Sequence, residues 1–244
     1  MVSLPSPSVR PATAVAELPC DRHGDPIDLE RARQELAALD AEGRLRWAWQ
    51  TFGDGLVLTT SFGIQSAVLL HMATELGGSA AGQGSPVLWV DTGYLPAETY
   101  RYAEDLCRRL PIRLVVVQAE ISPARMEALH GRLWETGRLE DLQLYNRLRK
   151  VEPLDRALEE RHVRCWASGV RSGQTDHRGS MQVLDAVRGR WSLRPLLAWT
   201  QRDVFYYMER HALPQHPLFE QGYSTVGDWH SSGPDGGDVS GRAT

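Results

Sequence analysis

Apolar runs and amphipathic stretches alternate along the middle of the chain. In "DLERARQELAAL" the apolar residues recur near helical spacing, and Asp40 is placed to cap "AEGRLRWAWQ", so two short helices are predicted across residues 28–50. Gly53-Asp54-Gly55 predicts a turn. "LVLTT", starting at Leu56, predicts a buried strand, and "IQSAVLLHMATEL" a helix starting at about Ile64. Residues 77–85, "GGSAAGQGS", read as a flexible loop. "PVLWVDTG" predicts a second buried strand, "PAETYRYAEDLCRRL" a helix with Pro96 in its first turn, and "IRLVVVQ" a third strand. Further on, "VEPLDRALEERH" predicts a helix and "VRCWASG" another strand. Residues 170–180 form a polar loop, "MQVLDAVRGRWSLRPLL" predicts a strand pair turning at Arg188-Gly189, and Thr200 with Asp203 starts a helix through a capping box. Uninterrupted apolar strands alternating with amphipathic helices imply an α/β fold, a parallel sheet with helices on both faces. Ligands of such sheets bind at the carboxyl ends of the strands.

The 244 residues, 42% hydrophobic and 24% charged, suffice for one sizeable core. No apolar run approaches the ~20 residues a membrane helix needs. "MVSLPSPSVRPATAVAELPC" lacks the charged-then-apolar order of a signal peptide, so residues 1–25 are expected to be a disordered leader and the protein cytoplasmic. Residues 26–231 are read as a single domain, and the Gly- and Ser-rich residues 232–244 as a mobile linker. Cys20, Cys107 and Cys165 are widely spaced with no CxxC pair, which supports free thiols and neither a zinc nor an iron–sulfur frame. A net charge of −4 does not advertise nucleic-acid binding. An anionic ligand therefore needs a local basic cluster. Lys150 is the only lysine among the 27 basic residues. Where arginine is so favoured, one retained ammonium reads as chance or as a compact point charge for a phosphate or sulfate.

The polar ends of the predicted strands carry the candidate chemistry. After the first strand comes "TTSFGIQS", with hydroxyls at Thr59, Thr60, Ser61 and Ser66 and with Gly63. It is not a Walker loop. It reads either as capping and turn chemistry or as an anion cradle in front of a helix N-terminus. Asp91-Thr92-Gly93 ends the second strand, where Asp91 could accept from a ribose or cap its own loop. "YNRLRKVEP" packs Arg147, Arg149 and Lys150, as a solvated basic face or a ligand edge. Arg171 and Arg178, in "GVRSGQTDHR", could close over phosphate or sulfate oxygens. Tyr223 could stack on a base or merely pack. His216 and His230 have no partner at metal-site spacing.

"TTSFGIQSA", "DTGYLPAETYR", "HGRLWETG", "YNRLRKVEPLDRAL", "GVRSGQT" and "HPLFEQGYSTVGD" follow one another in an order that resembles the phosphoadenylyl-sulfate (PAPS) reductases of assimilatory sulfate reduction. The resemblance runs from about residue 35 to residue 231. It implies an adenine-nucleotide α-hydrolase-like fold. Gln65 stands where the related ATP pyrophosphatases carry aspartate, which disfavours an adenylating enzyme. It also implies that Ser61, Gly63, Gln65 and Ser66 form the phosphosulfate loop and that Asp91, Thr92 and Gly93 lie at the nucleotide edge. Lys150 falls on the basic segment near the sulfate and Arg171, Gln174 and Arg178 on the loop over the substrate, and Thr60, Arg147, Arg149 and Tyr223 are counted with them as candidate substrate contacts. Ser172 occupies a place where the family often has a second arginine.

Relatives that reduce adenylyl sulfate (APS) hold a [4Fe–4S] cluster on cysteines. Here those places read Tyr145-Asn146 and Asp228-Trp229-His230-Ser231, so no cofactor or metal is expected and PAPS is favoured over APS. The resemblance further implies a homodimer, thioredoxin or glutaredoxin as reductant, and a nucleophilic cysteine on a C-terminal tail. No cysteine of this chain occupies that place, so the nucleophile is expected after Thr244. A cluster-free APS reductase and a catalytically silent adenylyl-nucleotide binder are the alternatives.

Overall fold

The computed structural model describes residues 18–76, 84–172 and 180–236. Two helices open it, α1 (Leu29–Ala37) and α2 (Ala41–Phe52). Asp28 caps α1 by accepting from Arg31 N–H, and Asp40 caps α2 by accepting from Gly43 N–H, as the sequence predicts for Asp40. Strand β1 (Leu56–Thr60) leads to α3 (Ser66–Leu76), β2 (Val87–Asp91) to α4 (Ala97–Arg109), and β3 (Leu114–Gln118) to α5 (Pro123–His130) and α6 (Leu139–Asn146). A π-helical turn, Arg147–Val151, runs straight into α7 (Glu152–Glu160). Then follow β4 (Cys165–Ser168), β5 (Leu184–Val187), β6 (Arg190–Leu193) and α8 (Gln201–Arg210). Thr200 and Asp203 form the expected capping box on α8.

The six strands form one sheet in the order β3-β2-β1-β4-β6-β5. All neighbours are parallel except β5 and β6, which pair antiparallel across Arg188-Gly189. The central strands are apolar on both faces, and their alternation divides the core. Leu56 and Leu58 of β1, Val87 and Trp89 of β2, and Cys165 and Ala167 of β4 pack with α1 to α4 and α8. Val57, Leu88 and Trp166 point the other way, onto Ala157 and Leu158 of α7. Helices therefore cover both faces. β3, the expected third strand, is the sheet edge and leaves Val116 49% exposed. A smaller cluster of Tyr94, Met126, Leu133 and Tyr145 joins α5 and α6 to the loop after β2. Among the described residues no helix is long and apolar enough to cross a membrane.

Candidate functional site

The strand order reverses direction at β1, whose neighbours are β2 on one side and β4 on the other. At such a switch point the loops leaving adjacent strands part and open a crevice. A cavity of about 380 Å³ lies there. Thr59 and Thr60 of β1 and Ser168, Gly169 and Val170 at the end of β4 form its floor, and Ser61, Gly63, Gln65 and Ser66 form one wall. Leu154 of α7 and the segment Ser224-Thr225-Val226 close the other sides.

The loop after β1 has its shape set from beneath. Phe62 is fully buried and meets the Trp89 ring edge-on at 4.9 Å. Its φ of 48° lies in the left-handed region, unusual for a bulky residue. Thr60 Oγ1 accepts from the Phe62 N–H at 3.0 Å, and Ser66 Oγ donates to the Gly63 carbonyl at 2.8 Å. A Cβ on Gly63 would come within 3.3 Å of Ser61 Oγ and 3.5 Å of the Val226 carbonyl, so the loop lies close against the 224–226 segment with little room to spare. Helix α3 begins at Ser66, not Ile64, because Ile64 and Gln65 are taken up by this turn. The knot makes a tight turn, and it also lines a cavity at the amino end of a helix. Arg171 is buried and donates to Gln65 Oε1, linking the end of β4 to the same loop.

The Asp91-Thr92-Gly93 edge is built differently. Asp91 Oδ1 accepts from the Gly93 N–H (2.8 Å) and the Tyr100 hydroxyl (2.6 Å), and Oδ2 from Gln118 Nε2 (2.8 Å). Of the two roles open to Asp91, capping its own loop is the one these bonds fill. Gly93 has φ +76°, and a Cβ there would lie 2.5 Å from Pro123 Cγ. Arg149, expected among the ligand contacts, is instead buried. Its guanidinium donates to the Thr92 carbonyl, through Nε at 2.8 Å and through Nη2, and to the Ile121 carbonyl. Arg147 lies exposed beside Glu152, Nε to Oε1 3.4 Å. Lys150 Nζ is 2.7 Å from Asp228 Oδ2.

Asp228 ties these pieces together. Its carboxylate is wholly buried and also accepts from the Thr92 and Tyr145 hydroxyls, the latter at 2.9 Å. Burial alone would raise its pKa. The Lys150 ammonium and the hydroxyl donors outweigh that and hold it below the usual carboxylate range. Burial and the charge of Asp228 push the Tyr145 hydroxyl upward, so it stays a donor. Below, His216 is fully buried, accepts from the Leu218 N–H at 3.1 Å through Nδ1, and places Nε2 3.1 Å from Thr99 Oγ1. Burial lowers its pKa to about 4.

Of the residues singled out in the sequence, the cavity gathers Thr60, Ser61, Gly63, Gln65 and Ser66. Tyr223 lies in an adjoining hollow of about 530 Å³ that shares Ile64, Gln65 and Ser224 with it. Gln174 and Arg178 lie outside the described residues. Sequence reasoning missed Ser168 and Gly169, although a small polar pair at the end of an apolar strand was a usable signal. It also missed Ser224, Thr225 and Asp228, which sit in a long irregular segment without periodicity. Among the described residues no cysteine lines the cavity. Cys165 is fully buried, and burial pushes its thiol and that of Cys107 upward.

The profile of the phosphoadenosine phosphosulfate reductase domain matches residues 55–234. A phosphoadenosine 5′-phosphosulfate reductase of Synechococcus sp. is 54% identical over 206 residues, 84% of this chain and 87% of its own length. One of Synechocystis sp. is 47% identical over 208 residues, covering 85% and 82%. A solved PAPS reductase of Candida auris, in a phosphate complex, superposes with a TM-score of 0.72 at 27% identity, over 85% of this chain and 98% of that one. An FMN adenylyltransferase of Candida glabrata with ATP bound, 12% identical over 82% and 62%, shares the fold with a TM-score of 0.53. The sheet order, the helices on both faces and these neighbours make the fold adenine-nucleotide α-hydrolase-like. With its crevice at the β1–β4 switch point and a profile match across most of its length, the chain belongs to the phosphoadenosine phosphosulfate reductase family.

Proposed function

We propose that the protein reduces 3′-phosphoadenylyl sulfate to sulfite and adenosine 3′,5′-bisphosphate, with thioredoxin or glutaredoxin as the electron donor. The observation that carries this reading is the cavity at the β1–β4 switch point, lined by the hydroxyls of Thr59, Thr60, Ser61, Ser66 and Ser168 and opening at the N-terminus of α3. Amides and hydroxyls at a helix start suit phosphate and sulfate oxygens. The apolar walls, Ile64, Leu69, Val90 and Leu154, suit a purine or ribose face. Arg171 and Lys150 supply local positive charge on a chain whose net charge is −4.

The chemistry asks for a thiolate. Its sulfur attacks the sulfuryl sulfur, the bond from that sulfur to the 5′-phosphate oxygen breaks, and adenosine 3′,5′-bisphosphate leaves with the electron pair. The enzyme then holds a cysteine S-sulfonate. A reductant thiolate attacks the cysteine sulfur and sulfite departs, leaving a mixed disulfide, and the second reductant thiolate attacks the reductant sulfur of that bond, closes the reductant's own disulfide and releases the enzyme thiolate. Cys165 is buried in the sheet and none of the described cysteines lines the cavity, so the attacking thiolate has to be brought to the cavity from outside its lining. Homodimeric assembly and a cytoplasmic location complete the proposal.

Sulfite release from labelled PAPS in the presence of thioredoxin tests it. The 244 residues alone should bind PAPS and release none, and the same residues joined to a C-terminal segment that carries a cysteine should turn over. Turnover by the short chain would assign the nucleophile to Cys20, Cys107 or Cys165. Calorimetry should also rank PAPS above APS, because each charge-assisted hydrogen bond to the added 3′-phosphate contributes about 1.5–3 kcal/mol. Equal affinities would favour the cluster-free APS reductase.

A further inference from the structure

The buried Asp228 carboxylate collects donors from three separate places: Thr92 after β2, Tyr145 on α6, and Lys150 on the π-helical turn. Thr92 and Tyr145 are buried with it, whereas the Lys150 side chain is 41% exposed. One end of the ion pair is thus fixed and the other looks outward. Leu154, which lines the cavity, lies about one helical turn beyond Lys150 and so on the same side of that helical run. Val226, which also lines it, lies two residues before Asp228. Near neighbours of both members of the pair thus line the cavity. The ammonium also sits 5.6 Å from the centre of the Tyr145 ring.

A lone lysine at a rim is an inefficient anchor. Ordering its long side chain against an incoming anion costs on the order of 1.5–2 kcal/mol in rotamer freedom. A carboxylate already locked by two hydroxyls removes most of that cost in advance. An ammonium has three N–H donors, so engaging Asp228 leaves donors for an arriving oxyanion. An arginine fork would have more of its donors claimed by the carboxylate. This gives a physical reason for the one lysine in an arginine-rich chain.

We propose that Asp228 is a positioning residue: it holds the Lys150 ammonium at the rim of the cavity, aimed at an anionic group of the substrate. The inference rests on the function proposed above. Its test uses the fact that Lys150 is the only lysine in the sequence, so isotope-labelled lysine gives a single side-chain NMR signal. In the wild-type protein that signal should be as rigid as the backbone, and PAPS should shift it. Asp228→Asn should make it mobile and weaken PAPS binding about tenfold. With Lys150→Ala already present, the same change should weaken binding by less than about twofold, since the two act as one unit. A signal that stays rigid in Asp228→Asn, or an equal loss of affinity with and without Lys150, overturns the proposal. If Asp228→Asn does not fold, Asp228→Glu carries the test. Its displaced carboxylate should keep Lys150 rigid yet lower PAPS affinity severalfold, and undiminished affinity overturns the proposal. A wild-type chain that does not bind PAPS sinks the proposed function. A chain that binds PAPS with an unmoved Lys150 signal sinks this inference alone.

Discussion

The loops after β1 and β2 begin alike and end differently. Both are polar segments at the carboxyl edge of adjacent parallel strands, Thr59 to Ser66 in one and Asp91 to Tyr94 in the other. In the first, hydroxyls and Gln65 line a cavity while each keeps at most part of its bonding within the protein, as Thr60 does with the Phe62 N–H and Gln65 with Arg171. In the second, the carboxylate of Asp91, the carbonyl and hydroxyl of Thr92, and the N–H of Gly93 all have protein partners. A place at the sheet edge therefore does not make a ligand contact. What decides is how many of a group's hydrogen bonds the fold has already taken, because a buried group must be satisfied by something. The second loop is a brace, and through Asp228 it is tied to the Lys150 ammonium.

The comparison predicts opposite outcomes for basic residues close in sequence. Arg149→Ala strips buried carbonyls of Thr92 and Ile121 of their donors and should cost about 3 kcal/mol or more of stability, read by urea denaturation. A stable Arg149→Ala protein with lost nucleotide affinity would make Arg149 a ligand contact after all.

Acid should act next most strongly, on the segment that serves both loops. His216 is neutral when folded, with its pKa lowered to about 4 from an ordinary 6.5, so between those values the unfolded chain takes up a proton that the native chain refuses. Its contribution is fully present above about pH 6.5 and is lost as pH falls towards 4. His216→Gln should flatten the stability-against-pH curve in that window, and a curve unchanged by the substitution would remove His216 as its cause. Asp228 adds a second loss at lower pH. Its folded pKa is depressed, so its stabilisation is present above the unfolded carboxylate range and disappears as pH falls through the folded value.

Arg171→Ala should weaken PAPS or product binding about tenfold in calorimetry, with the fold intact. A collapse in thermal stability with unchanged affinity would instead place Arg171 with Arg149 among the braces. Ser61→Ala is the smallest change expected. It removes one cavity hydroxyl and should lower affinity severalfold, about 1 kcal/mol, with no shift in thermal midpoint.

The sheet and its helices were legible because their signals are local. Apolar runs such as Leu56–Leu58 and Val87–Val90, and caps such as Asp40 and Thr200, are written in neighbouring residues. The cavity wall from Ser61 to Ser66 was legible for the same reason, since strand end, loop and helix start are contiguous. Helices α5 and α6 were not read, because the stretch from Pro123 to Asn146 is broken by Gly131 and Gly137 and its apolar faces meet only in the small cluster around Tyr145. Nor could the sequence separate Arg149 from Lys150. They are adjacent and both basic, and only the packed structure turns one inward to carbonyls and the other, half-exposed, onto the Asp228 carboxylate. Asp228 was invisible as a partner because 136 residues separate it from Thr92.

The left-handed backbone at Phe62 has a thermodynamic consequence. Holding a bulky residue there costs on the order of 1–3 kcal/mol, and the buried ring against Trp89 keeps it in place. That cost is met when the chain folds, not when a ligand arrives. The loop is already bent around its hydroxyls before any anion enters, so association should order little backbone and carry a small conformational entropy penalty. Loosening the ring's grip, as in Phe62→Ala, would transfer that penalty to the binding step, where it would appear as a less favourable entropy of association even with every polar contact retained.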